Sequence, residues 1–130
     1  MVEFVEFDID VADINIPGVD AELGSRLYDY EMDIYLDVLQ AFADSISGTI
    51  EKPRSVSEES LGNYANAVHG LGGSCASIGA EEMKNKTIEV EQKIKAGDFS
   101  GVLTLNDELI NDAEKLVSDI QAWLTRLISQ

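Results

Sequence analysis

From about Met32 to Glu51 the apolar side chains fall at Met32, Tyr35, Leu36, Leu39, Phe42, Ala43, Ile46 and Ile50. This is the three-and-four spacing of a helix that buries one face. Pro53 ends the pattern, since proline removes a backbone donor and clashes with the preceding turn. Ser55 followed by Glu58 reads as a capping box opening a second helix, whose buried stripe is Leu61, Tyr64, Ala65, Val68, Leu71, Cys75 and Ile78. Gly79 supplies a left-handed stop. A third helix is predicted from about Ala80 to Ala96, with Met83, Thr87, Val90 and Ile94 inward. Gly97-Asp98 then reads as a C-terminal glycine followed by a new N-cap. The last helix, about Phe99 to Ile128, turns Val102, Leu105, Leu109, Ala113, Leu116, Ile120, Trp123 and Leu127 inward.

Ahead of these helices, residues 1–16 alternate weakly, with Phe7, Ile9 and Val11 against Asp8, Asp10 and Asp13. An edge strand would fit, but an acidic arm lying on the domain fits better. Pro17-Gly18 punctuates the chain, and Asp20 caps a short helix through about Tyr28. The expected fold class is all-α: an antiparallel four-helix bundle over residues 17–130, with a short N-terminal helix and an acidic N-terminal arm at 1–16. Nothing suggests a parallel sheet or a dinucleotide-binding unit.

Composition narrows the function classes. Hydrophobic residues make up 45% of the 130 and charged residues 26%, as in a globular domain with one core. Twenty-five acids against nine bases give a formal net charge of −16, a field that repels phosphate backbones and anionic lipid surfaces. Neither nucleic acid nor a membrane is an expected partner. No apolar run approaches the roughly 18 residues of a membrane span, and the leading MVEFVEFDID lacks the basic start of a signal peptide. Cys75 is the sole cysteine, so no internal disulfide is possible and a reducing, cytoplasmic setting is expected; a monomer is the expected state.

His69 is the only histidine. On a helical wheel it lies about 100° from inward-facing Val68, on the flank of the second long helix. Gly62, Asn66, Gly73 and Ala76 share that flank, and none of them is bulky enough to cover the imidazole. Gly70, Gly72 and Gly73 should each cost a helix about 1 kcal/mol relative to alanine, yet the apolar stripe stays in phase across them. Close approach of a partner would account for bare backbone there; a loop that breaks the helix is the alternative. A phosphate-binding Walker loop does not fit, since its spacing and lysine are absent. No second histidine or cysteine pair accompanies His69, so a metal site is not expected. Ser74 points away from His69 on the same helix and Ser77 lies more than two turns along it, so a serine triad does not fit. Two readings of His69 remain: a solvated surface residue, or a nucleophile whose neutral ring nitrogen attacks an electrophile such as a phosphoryl group.

The run Ala67-Val68-His69-Gly70-Leu71-Gly72-Gly73-Ser74-Cys75-Ala76-Ser77-Ile78-Gly79-Ala80 resembles the signature of histidine-containing phosphotransfer (HPt) domains, roughly His-x-Leu-Lys-Gly-Ser-x-x-x-Ile-Gly-Ala. The likeness extends to Ile16-Pro17-Gly18-Val19-Asp20, to the Asp33-Ile34-Tyr35-Leu36-x-x-Leu39 segment and to Ala96-Gly97-Asp98, covering about residues 14–127. The resemblance implies a phosphorelay intermediate rather than an enzyme. Its partners would be response-regulator receiver domains and a hybrid histidine kinase. The domain would need no cofactor of its own, Mg²⁺ being held by the receiver. By position His69 is the phosphoacceptor, Gly73 the small residue that opens access to it, and Leu71, Ile78 and Ala80 packing positions; with the helix phase, Gly62, Gly72, Gly73 and Ala76 are the expected access rim. One departure stands out: the family usually has lysine three residues after the histidine, where this chain has Gly72. In an antiparallel hairpin turning at Gly79-Ala80, Lys86 and Lys93 straddle the level of His69 and are candidates to supply the missing charge. The alternative is a receiver-binding module whose phosphotransfer is impaired or lost.

Overall fold

The computed structural model describes residues 9–49 and 56–129, the side chains of 47–49 excepted. Helix α1 spans Ala21–Arg26, α2 Met32–Thr49, α3 Leu61–Ala76, α4 Glu81–Lys95 and α5 Phe99–Ile128. No strand occurs among the described residues. The four long helices pack in a closed ring, α2 on α3, α3 on α4, α4 on α5 and α5 back on α2. This is the antiparallel bundle that the short α3–α4 and α4–α5 connections favour. Among the described residues no helix is long and apolar enough to cross a membrane.

Local chemistry explains most of the helix ends. The Asp20 carboxylate accepts from the Leu23 N–H at 3.1 Å and caps α1, and Asp98 does the same for α5 through the Gly101 N–H at 2.9 Å. Gly79 and Gly97 close α3 and α4 with φ of 83° and 72°, the left-handed region that glycine enters without penalty. The start of α3 differs from expectation. Pro53 and Ser55 lie outside the described residues, and the helix begins only at Leu61. The Ser60 hydroxyl accepts from the Ser57 N–H at 2.9 Å, so a serine turn precedes α3 and no side chain caps it.

Most of the predicted stripe positions are buried, while Met32, Leu61 and Ala65 are half-buried and Ile50 lies outside the described residues. Tyr35, Leu36, Leu39, Phe42, Ala43 and Ile46 of α2 are buried, with Tyr64, Val68, Leu71 and Cys75 of α3 and Ile78 just beyond it. On α4, Met83, Thr87 and Val90 are buried, and Ile94 is half-buried. Helix α5 is held by both α4 and α2, so its buried face is wider than one stripe. It adds Asn106, Ile110, Val117 and Leu124, while Leu105 is only half-buried. The Asn106 side-chain carbonyl accepts from the Tyr64 hydroxyl at 2.8 Å, and burial pushes the Tyr64 phenol up to about 12.

Upstream of α1, Ile14 and Ile16 of the N-terminal segment are buried among the core residues, with Ile9 and Val11 packed against them. A short 3-10 turn at Val11–Asp13 carries the chain there. Helix α1 then docks onto the α3–α4 turn. The Asp20 N–H donates to the Gly79 carbonyl at 2.9 Å, Tyr28 Oη to the Ser77 carbonyl at 2.8 Å and Tyr35 Oη to the Ile78 carbonyl at 2.8 Å. This contact depends on two missing side chains. A Cβ on Gly24 would clash with the Ile78 carbonyl oxygen, and one on Gly79 with the Asp20 carbonyl.

Candidate functional site

His69 sits in the middle of α3, which runs unbroken through Gly70, Gly72 and Gly73. The side chain is 81% exposed, because the inward stripe of Val68 and Leu71 turns it onto the flank. A Cβ at Gly62, Gly70 or Gly73 would meet nothing within 4 Å. Gly62 and Gly73 are exposed and Ala76 is half-buried, so three of the four expected rim positions lie low and open along the flank.

Gly72 is not part of that rim. It is buried, and a Cβ there would lie 2.6 Å from Oγ1 of Thr87 on α4. Three residues past His69, the helix has turned this position towards α4. A lysine at 72 therefore has no room while Thr87 keeps its place.

The lysines expected to compensate for its absence are both turned elsewhere. Lys86 pairs with Asp112 and, at 3.6 Å, with Glu108, both on α5. The hydrogen bond with Asp112 is the first cause holding its ammonium above the ordinary lysine value. Lys93 lies two turns further along the same face of α4 and pairs at 3.5 Å with Asp98 at the N-terminus of α5. The Asp98 carboxyl is held below its ordinary value, first by the Gly101 N–H and then by Lys93. The side of α4 that carries both lysines faces α5, whereas α3 meets another flank.

That other flank brings an acid to the imidazole. Glu91 Oε2 is 3.4 Å from His69 Nδ1, and the Glu91 side chain is 27% exposed. The separation is long for a hydrogen bond, so the contact orients the ring more than it binds it. A carboxylate only accepts, so in a neutral ring the proton belongs on Nδ1 and the lone pair on Nε2. Nε2 then points away from Glu91 into solvent, as a nucleophile would need. The level of Glu91 was available from the hairpin register about Gly79; a search of that level for bases alone passes over it.

The remaining side chains near the signature are packing or turn residues. Ser77 Oγ donates to the Ser74 carbonyl at 2.6 Å. Cys75 is buried, and burial pushes its thiol up to about 12, which leaves it unreactive. A mixed-charge groove of about 370 Å³ between α4 and α5 is lined by Pro17, Met83, Lys86, Asp112, Lys115 and Leu116 among others, on the α5 side of α4 rather than at His69.

Compared with families of known proteins, the chain matches the family described as Hpt domain over residues 32–128. No significant match arises among curated proteins. None arises among solved structures.

Proposed function

The chain belongs to the Hpt domain family, whose members carry out phosphotransfer in two-component phosphorelays, and from that premise we propose that His69 is the residue on which this domain carries the phosphoryl group. The observation that carries the proposal is that His69 is the only histidine in the chain and lies within the matched residues, exposed on a helix flank. The donor is the aspartyl phosphate of a receiver domain. The Nε2 lone pair attacks phosphorus, an N–P bond forms as the acyl O–P bond breaks, and the electron pair of that bond stays on the receiver's carboxylate. The Nδ1 proton remains on the ring beside Glu91, which offsets the positive charge the imidazole gains. Transfer to a second receiver's aspartate reverses these steps, so the domain relays between receivers and, upstream, a hybrid histidine kinase. The Mg²⁺ that such a transfer uses belongs to the receiver, and this chain contributes a nucleophile on a rigid element. The carrier role needs no independent catalytic activity, and a monomer in the cytoplasm suffices for it.

One observation favours a second reading, a receiver-binding module with impaired transfer: position 72 bears no side chain, and Lys86 and Lys93 are paired on the α5 side of the bundle. A single experiment separates the two. Incubation with a phosphorylated receiver should give acid-labile, alkali-stable label that is absent from His69→Gln. Receiver binding that survives His69→Ala, with no label on the wild type, would support the second reading and overturn the first.

A further inference from the structure

We infer that Gly72 and Thr87 are positioning residues for this site: their contact sets the spacing of α3 and α4 so that Glu91 reaches the back of the His69 ring. The inference rests on the reading of His69 as the phosphoacceptor. Thr87 is fully buried, and its Oγ1 donates to the Lys84 carbonyl of its own helix at 2.6 Å. That bond satisfies the hydroxyl and fixes its rotamer. So fixed, Oγ1 occupies the space of a residue-72 Cβ, 2.6 Å from where that atom would be. The hairpin about Gly79 places the Gly72–Thr87 and His69–Glu91 pairs on successive turns, since His69 lies three residues before Gly72 and Glu91 four after Thr87.

The geometry gives the contact a measurable consequence. Restoring ordinary contact at about 3.4 Å for a Cβ at position 72 requires roughly 0.8 Å of movement. Because Thr87 turns aside only by giving up its bond to Lys84, the helices take up part of that movement. One turn away, the Nδ1–Oε2 distance of 3.4 Å then opens towards about 4 Å, beyond hydrogen-bond reach. The same close contact excludes a lysine side chain at position 72. In place of a cation beside the phosphoryl group, this chain has a carboxylate behind the ring. That carboxylate favours the phosphohistidine with its proton on Nδ1, in which the cationic ring is the better leaving group.

The test is nitrogen-15 NMR of the His69 ring in the full chain, alongside phosphotransfer from a phosphorylated receiver. In the wild type the Nδ1–H tautomer should predominate, and Glu91→Gln, a near-isosteric change at a half-buried position outside the core, should remove that bias. Gly72→Ala should shift the tautomer as Glu91→Gln does and slow transfer about threefold, the scale of one lost solvent-exposed ion pair. Thr87→Ala in the Gly72→Ala background should restore both, by vacating the space the new methyl needs. A tautomer ratio identical in the wild type and Glu91→Gln would overturn the inference, and so would a double variant that behaves as the sum of its single changes. A tautomer response that follows this pattern with no label on His69 in any variant would instead remove the phosphoacceptor reading, and the role in transfer with it.

Discussion

Replacing Gly73 should separate stability from transfer. Gly73 lies one turn after His69, in the interior of α3, and a Cβ there meets nothing within 4 Å. Glycine in a helix interior costs about 1 kcal/mol relative to alanine and nearly as much relative to leucine. With no clash to set against that gain, Gly73→Ala should stabilise the fold by about 1 kcal/mol and Gly73→Leu by slightly less, raising Tm by roughly 3–5 °C for a domain of this size. The effect on transfer runs the other way. A leucine four residues after His69 projects beside the imidazole on the same flank, where the receiver has to come within bonding distance of Nε2. A misplacement of about 1 Å in a transfer geometry costs on the order of a hundredfold in rate. Gly73→Leu should therefore lose about that much, and Gly73→Ala far less. Urea and thermal unfolding measure the first effect, and label transfer from a phosphorylated receiver the second. A Gly73→Leu protein that is more stable and still transfers at the wild-type rate would refute the claim that this flank is the approach path. A destabilised one would refute the open helical setting on which the sign depends.

Gly24→Ala should have the opposite sign in the same unfolding assay. A Cβ there meets the Ile78 carbonyl and the Tyr35 ring, and an overpacking cost of about 1–3 kcal/mol outweighs the helix gain. Gly70→Ala, which meets nothing, serves as its stabilising control. Native Cys75 should resist thiol reagents and react once urea unfolds the chain, since its thiol is buried and pushed up to about 12 from 9.0. The same shift predicts alkaline lability. Above pH 9 the unfolded chain releases this proton while the folded one retains it, so stability is full below that pH and falls as pH rises towards 12. The loss should reach about 2–3 kcal/mol near pH 11 from Cys75 alone. Tyr64, pushed up to about 12 from 10.0, adds to it in the same direction. Urea titrations at pH 8 and near pH 11 should show a smaller alkaline loss in Cys75→Val than in the wild type, and an equal loss would contradict the assignment.

The helices were legible because their apolar periodicity is strong and their ends carry chemistry that acts locally. Asp20, Gly79, Gly97 and Asp98 each do what a residue of that type does at a helix end. The start of α3 was less legible. Ser55, Ser57 and Ser60 offer competing caps within six residues, and the choice falls to a serine turn that bonds within itself. The docking of α1 on the α3–α4 turn was not legible at all. It depends on Gly24 and Gly79 meeting across 55 positions of chain, and neither position announces its partner. The burial of Asn106 belongs to the same class, because its acceptor is satisfied by Tyr64 on another helix.

The site divides along the same line. That His69 is exposed, with small residues along its flank, follows from the phase of one helix and was readable from that helix alone. The sign of the charge beside it does not follow from one helix. Helix α4 carries lysines on one flank and Glu91 on another, and which flank α3 meets is decided by how the two helices pack. The register about Gly79 gives the level of the contact but not its azimuth. Azimuth is set where Thr87 seats against Gly72, a contact that requires glycine on one helix and a small, internally bonded side chain on the other. Read as a missing lysine, Gly72 is a defect in the site. Read with Thr87 in place, it is the reason α4 lies close enough for a carboxylate to reach Nδ1, and the same contact that denies the phosphoryl group a cation orients the nitrogen that would carry it.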